Sequence, residues 1–340
     1  MTDLFVPKMV FFEPGSLKYP LGQQLYDMFT AMKIQVQFTP SHNRVNLGKN
    51  PDPSLSYALA KKTLVVGVRK SKTLMSCRPS ADYQLPLTTS CPGMCEYCYL
   101  ATTLGKRPYL RLYVNVEEIL AKAKEYIVAR YPKQTVFEGA ATSDPVPVEP
   151  YSHSLAKAVE FFAQEPNAKF RFVTKFDDLD SLLTLDHRGK SEVRFSINAP
   201  SIVKRFEHGT LPLEKRIMAA KKMKAAGYPV GFMIAPIIVF PGWQEHYLTM
   251  LNLMRQEFSR EEVLSFELVT HRFTARAKSL IKSVFPHTVL EMEETNRRFK
   301  YGQFGYGKYI YPQELMQEIK EFFAAKISFL FPNSEILYFV

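Results

Sequence analysis

The stretch Tyr83-Gln84-Leu85-Pro86-Leu87-Thr88-Thr89-Ser90-Cys91-Pro92-Gly93-Met94-Cys95-Glu96-Tyr97-Cys98-Tyr99 decides the reading of this chain. A strand-like run over 83–87 leads straight into three cysteines spaced C-x3-C-x2-C. Three thiolates on one short loop can each hold one iron of a [4Fe–4S] cube, because soft sulfur ligands suit iron–sulfur sites. One iron of the cube then has no protein ligand, and an open position is how such a site admits a cofactor or substrate. Gly93 relieves the backbone where it wraps round the cluster. The thiols alone leave other readings open. Cys77 can join them in a zinc site or in a four-cysteine electron-transfer cluster, or all four cysteines can be structural. Zinc modules, however, usually set their cysteines in two separated pairs, and a reducing compartment offers a disulfide no role.

Outward from this loop, apolar runs over 135–139, 170–174, 193–198, 230–235 and 264–269 alternate with helical patterns. The clearest helix spans 116–130. Val116, Ile119, Leu120, Ala123 and Ile127 recur at helical spacing, with Asn115 as N-cap and Glu118 three residues later as in a capping box. A second helix over 213–226 has Pro212 at its start and Gly227 at its end. Six strands alternating with helices predict an α/β fold with parallel strands and right-handed crossovers, a partial (β/α)6 barrel. Prolines 7, 14, 20, 40, 51 and 53 interrupt the first 80 residues, with one strand-like run over 62–68. That segment reads as an N-terminal extension packed on a barrel of residues 81–275. Residues 276–340 form a C-terminal segment with a β-hairpin and a helix near 312–325, the whole being one compact unit.

Of the 340 residues 46% are hydrophobic, enough to fill a core and to exclude a disordered chain. The longest apolar run, 230–240, is well short of the roughly 18–20 residues that span a bilayer. No basic and apolar leader opens the sequence, so a cytoplasmic protein without a membrane partner is expected. Lys and Arg outnumber Asp and Glu by 44 to 33, a net charge of +11 that favours polyanionic partners. The segment Arg297-Arg298-Phe299-Lys300-Tyr301-Gly302-Gln303-Phe304-Gly305-Tyr306-Gly307-Lys308-Tyr309 interleaves cations, aromatics and glycines. A hairpin there can meet phosphates through Arg297, Arg298 and Lys300, while Phe304 at its tip fills the space left by an extruded base. An ordinary aromatic strand pair packing on the barrel fits the same residues.

The cysteine spacing after the first barrel strand resembles the radical S-adenosylmethionine superfamily. Further stretches narrow the resemblance to the spore photoproduct lyase family over essentially the full length. They include Ser41-His42-Asn43, Cys98-Tyr99-Leu100, Tyr113-Val114-Asn115-Val116-Glu117-Glu118, Arg171-Phe172-Val173-Thr174-Lys175-Phe176, Arg194-Phe195-Ser196-Ile197-Asn198 and Gly307-Lys308-Tyr309-Ile310-Tyr311. The resemblance implies that Cys91, Cys95 and Cys98 bind a [4Fe–4S] cluster and that S-adenosylmethionine chelates the fourth iron. It implies Ser143, Lys175 and Ser196 as cofactor contacts, and Tyr97 and Tyr99 as parts of a hydrogen-return path. The implied reaction, inside the bacterial spore, is repair of 5-thyminyl-5,6-dihydrothymine in double-stranded DNA by a 5′-deoxyadenosyl radical, with a one-electron donor as partner.

Two departures stand out. Phe137-Glu138-Gly139-Ala140-Ala141-Thr142-Ser143-Asp144 lacks the Gly-Gly-Glu that many superfamily members carry after the second strand, yet resembles the lyase family. Within it, Ala141 occupies the position of that family's hydrogen-donor cysteine, which puts the last hydrogen-donation step in doubt. Two rival readings are a radical S-adenosylmethionine enzyme that modifies another nucleic acid, and a noncatalytic zinc- or cluster-dependent nucleic-acid-binding protein.

Overall fold

The computed structural model describes residues 5–48, 50–71, 73–105, 108–301 and 307–340. The chain forms two compact units. The first comprises Met1–Pro92, Arg107–Val193 and Ala226–Tyr228, and the second Gly93–Lys106, Arg194–Ala225 and Pro229–Val340. Neither follows the expected boundaries at residues 80 and 275.

The first unit holds a five-stranded sheet. Its strands run in the order Gln35–Phe38, Met9–Phe12, Thr63–Gly67, Leu110–Tyr113 and Thr88–Thr89, the first four parallel and the last antiparallel. Every residue of Thr63–Gly67 and Leu110–Tyr113 is buried. Their short continuous apolar runs are what parallel strands covered on both faces require. The first 80 residues therefore carry more regular structure than their prolines suggest. Pro20 and Pro53 open the helices Pro20–Ala31 and Pro53–Lys61, where a missing N–H costs nothing and the fixed φ is already helical.

The same unit pairs Ala81–Gln84 with Thr135–Glu138, and Thr135–Glu138 with Ala168–Thr174, all parallel. The second unit pairs Val230–Ile237 with Ser265–Thr270 and that strand with Glu335–Phe339, also parallel. The strand Ser191–Ile197 starts in one unit and ends in the other. Each of the six expected barrel strands is present, shifted by one to three residues at most ends. Glu335–Phe339 adds a parallel strand that the reading of the tail omitted. The fold is α/β and rich in parallel strands, as expected.

Helix Val116–Arg130 has the expected bounds and buries the five expected side chains. Its start differs from the capping box. The Asn115 side chain makes no cap bond; its Oδ1 accepts from the Arg69 backbone N–H and its Nδ2 donates to the Arg69 carbonyl and to Glu118. The Arg69 peptide, 46 residues away, outcompetes the local cap. Among the described residues no helix is long and apolar enough to cross a membrane.

Glu149 ends up buried at the start of helix Ser154–Ala163, where it accepts from the Leu155 and Ala156 N–H groups and from the Ser181 hydroxyl. Burial pushes its carboxyl up from 4.5 to about 7, and those donors only partly offset this. The fold thus binds this proton more tightly than the unfolded chain. The resulting stabilisation is complete below about pH 4.5 and lost as the pH rises through about 7. Denaturant titrations from pH 5 to 8 should show Glu149→Gln losing less stability than the parent, by roughly 3 kcal/mol at full titration. Parallel profiles for the two proteins would show that Glu149 does not titrate in this range.

Candidate functional site

In the first unit, the segment leading to Cys91 is built against the turn that follows Thr135–Glu138. Ser90 bridges Ser143 in parallel fashion. Its N–H donates to the Thr142 carbonyl at 2.8 Å, and its own carbonyl accepts from Asp144 N–H at 3.1 Å. Ser90 has a φ of 70°, a region that L-residues other than Asn and Asp seldom adopt. Its buried hydroxyl donates to the Pro108 carbonyl at 2.7 Å and helps hold that conformation. The buried ammonium of Lys61, beside the Tyr57 ring, donates to the Cys91 carbonyl at 3.0 Å. Gly139 opens the turn because a Cβ there would lie 2.7 Å from the Phe170 ring.

Asp144 joins this turn to the end of strand Ala168–Thr174. One carboxylate oxygen accepts from the Thr174 hydroxyl and the Lys175 N–H, at 3.0 and 2.9 Å, and the other from Val146 N–H. Burial raises its carboxyl from 3.8 to about 6, against the pull of these donors. Ala141, Ser143 and Lys175, three of the expected site residues, are thereby gathered with Ser90 and Cys91 in one unit. Ala141 and Lys175 are partly exposed and Ser143 is buried.

In the second unit, Met94–Cys95 forms a two-residue antiparallel ladder with Glu207–His208, Cys95 opposite Glu207. Side chains lock both sides of it. The Tyr97 hydroxyl donates to Glu207, and Glu207 pairs with Arg216 at 2.6 Å, both carboxylate and guanidinium being fully buried. Arg216 then donates to the carbonyls of Leu211 and Ser196 and to the Thr210 hydroxyl, at 2.8, 2.9 and 2.8 Å. Next along the loop, Glu96 meets His208 Nε2 at 2.8 Å and accepts from the Thr288 hydroxyl. Burial, then the Glu207 charge, then Cys95, push the Tyr97 phenol well above its usual range, so it stays protonated. Tyr99, by contrast, is 58% exposed. Cys95 is buried and Cys91 and Cys98 are partly exposed, and none is in a disulfide. Among the described residues no three His, Cys, Asp or Glu side chains converge as ligands of a single ion would. A cube does not require that convergence, because each thiolate takes its own iron.

The expected hairpin is present, Arg298–Tyr301 pairing with Gly307–Ile310. Arg298 and Lys300 are exposed on it, whereas Phe304 lies outside the described residues. Arg297 is placed differently from the expectation of a phosphate contact. It is buried, paired with Glu291, bonded to the His271 carbonyl at 3.0 Å and stacked 3.8 Å from the Tyr311 ring centre. Lys61, Asp144, Glu207 and Arg216 were absent from the site residues read in the sequence. Lys61, Glu207 and Arg216 act from distant segments and belong to no local motif, while Asp144 sits beside Ser143 in a stretch that does not reveal its role.

Glu207→Ala would leave the Arg216 guanidinium buried without its partner, a loss that typically costs about 3–5 kcal/mol. Its thermal midpoint should drop by several degrees, and iron retention after anaerobic reconstitution should fall with it. Tyr97→Phe removes one hydrogen bond to a charged group and should be milder, about 1.5–3 kcal/mol. Parent-like iron content and midpoint in Glu207→Ala would show that the ladder does not support the loop.

Comparison with known proteins places this architecture. The family model for spore photoproduct lyase matches residues 5–340. The chain is 46% identical over 341 residues to the spore photoproduct lyase of Bacillus subtilis (strain 168), covering all of both chains. It is 44% identical over 340 residues to that of Clostridium acetobutylicum, again over the whole of both. Among solved structures, it resembles a double mutant of spore photoproduct lyase with bound AdoMet and dinucleoside spore photoproduct. The TM-score is 0.97 at 44% identity, over 99% of this chain and 100% of that one. A spore photoproduct lyase complexed with the dinucleoside alone matches with the same TM-score and coverage, at 43% identity. With its three-cysteine loop, parallel-stranded α/β fold and full-length match, this chain belongs to the spore photoproduct lyase family.

Proposed function

We propose that this chain reverts the spore photoproduct in double-stranded DNA to two thymines, as a radical S-adenosylmethionine lyase of the spore cytoplasm fed by a one-electron donor. The observation that carries the reading is the loop Cys91–Cys95–Cys98, within a chain that matches spore photoproduct lyases from end to end. Relatives of the same fold bind AdoMet and the dinucleoside lesion. A [4Fe–4S] cluster, when bound with S-adenosylmethionine, supplies the electron and the 5′-deoxyadenosyl radical that opens the lesion at C6.

The residues of the chain would hold and orient these groups. Cys91, Cys95 and Cys98 each take one iron, and Lys61 fixes the Cys91 carbonyl. Ser143, Lys175 and Ser196 serve as cofactor contacts, the first two kept in register by Asp144. Arg298, Lys300 and Phe304 face the duplex. The two tyrosines divide their roles. The single phenolic proton of Tyr97 is committed to Glu207, so Tyr97 anchors the loop. The exposed ring of Tyr99 suits the hydrogen-return path. Ala141 carries no S–H bond, so completion of repair is the step this chain performs least well.

Anaerobically reconstituted protein should convert dinucleoside spore photoproduct to thymidine in a reaction that requires S-adenosylmethionine. Cys77→Ala should keep its iron and sulfide, while Cys95→Ala should lose them. Loss of the cluster in Cys77→Ala would mean that four thiols enclose it and no iron is open to the cofactor.

Ala141→Cys should raise the thymine formed per S-adenosylmethionine consumed, with little change in affinity for cofactor or DNA. Equal ratios in the two proteins would place the hydrogen donor at another residue.

A further inference from the structure

The hairpin of the second unit has two chemically distinct faces. Residues directly opposite each other in an antiparallel pair project to the same side. Phe299 lies opposite Tyr309 and Tyr301 opposite Gly307, and the preceding segment joins through a Phe273–Tyr309 bridge. The Phe273 and Tyr309 rings stack 5.4 Å apart, while Phe299 meets both Tyr309 and Tyr301 edge-on. The Phe299 ring also covers Gly307, where a Cβ would lie 2.0 Å from it. That side is aromatic.

The other side carries cations. Exposed Arg298, opposite Ile310, shares this side, and Lys300 lies directly opposite Lys308, a like-charge pairing that normally weakens a hairpin. Arg272, next to the bridging Phe273, joins them. Burial, then Arg272, then Lys300 lower the Lys308 ammonium below its usual range. The nearby carboxylates are occupied elsewhere. Glu291 pairs with Arg297, Glu293 and Glu294 lie within 4 Å of Lys278, and Glu294 also accepts from the Tyr309 hydroxyl. Among the described residues, Arg272, Lys300 and Lys308 make no ion pair and no side-chain hydrogen bond. Three cations held together at an energetic cost, without an anion of their own, form a seat for one.

We propose that Arg272, Lys300 and Lys308 form a shared seat for a single phosphate oxyanion, the aromatic side of the ribbon being left for bases. The inference rests on the reading of the chain as a DNA-repair lyase. It adds Arg272 and Lys308, neither of which the sequence analysis names as a phosphate contact, and assigns all three to one ligand group.

The test is binding of the full-length protein to undamaged duplex DNA across a salt series. The proteins compared are the parent, Arg272→Gln, Lys308→Gln, the double variant, and Lys320→Gln as a control on the helix Gln313–Leu330. The double variant should lower the slope of log K against log salt measurably but by no more than about 0.9, the value of one phosphate, since Lys300 remains at the seat. Neither single variant should exceed that, and the control should match the parent. A drop near 1.8 would mean two separate phosphates and would overturn the shared seat.

A second arm compares thermal midpoints in inorganic phosphate and in chloride at matched ionic strength. A phosphate-dependent rise in the parent, absent from the double variant and with an unchanged duplex slope, would identify free phosphate as the occupant. No effect in either arm would overturn the seat. Thymidine formation from dinucleoside spore photoproduct, measured on the same proteins, judges the proposed reaction separately because it needs no contact with a longer strand.

Discussion

Arg216 and Glu207 are fully buried charges, and the second unit's share of the cysteine loop depends on their pairing. Burying two ions is favourable only where the geometry is close and the remaining donors and acceptors are satisfied. Here Arg216 spends its other N–H groups on the Ser196 and Leu211 carbonyls and on Thr210, and Glu207 receives the Tyr97 proton. A single salt bridge therefore connects the loop that carries Cys95 and Cys98 with the backbone of Ser196, an expected cofactor contact. The same pairing fixes the chemistry of Tyr97. The Tyr97 phenol, donating to a buried carboxylate, tethers the loop to that ion pair.

The first unit solves the equivalent problem with backbone. Ser90, in a left-handed conformation, is stitched to Thr142 and Asp144, so Cys91 is positioned by the turn that also presents Ala141 and Ser143. Asp144 then carries the register across to Lys175. Its raised carboxyl pKa reflects how completely the junction is withdrawn from water.

Much of the parallel-strand pattern was legible in the sequence because buried parallel strands read as short continuous apolar runs, and helix Val116–Arg130 because five apolar residues share one face. The N-terminal sheet was harder to see. Met9–Phe12 and Gln35–Phe38 are four-residue strands, and Pro20 and Pro53 look like breaks until their place at helix starts is known. The cysteine loop was legible because its ligands are local. Glu207, Arg216 and Lys61 were not, since each is brought to the loop by tertiary folding and none has a spacing signature; Asp144 stands in a legible motif, but its bonds to Thr174 and Lys175 N–H come only with the fold. Arg297 shows the converse: a cation in a basic stretch suggests a surface position, yet Glu291, the His271 carbonyl and the Tyr311 ring enclose it. Asn115 likewise turned from its local cap to the Arg69 peptide.

The reaction proposed for this chain repairs the lesion by moving a hydrogen atom from C6 of its dihydrothymine to the 5′ carbon of the adenosyl group. Label transfer measures this directly. Dinucleoside spore photoproduct carrying deuterium at C6 of its dihydrothymine, incubated anaerobically with the reduced protein and unlabelled S-adenosylmethionine, should give thymidine together with 5′-deoxyadenosine that contains deuterium. Thymidine accompanied by unlabelled 5′-deoxyadenosine, or labelled lesion recovered intact after S-adenosylmethionine has been consumed, would contradict it.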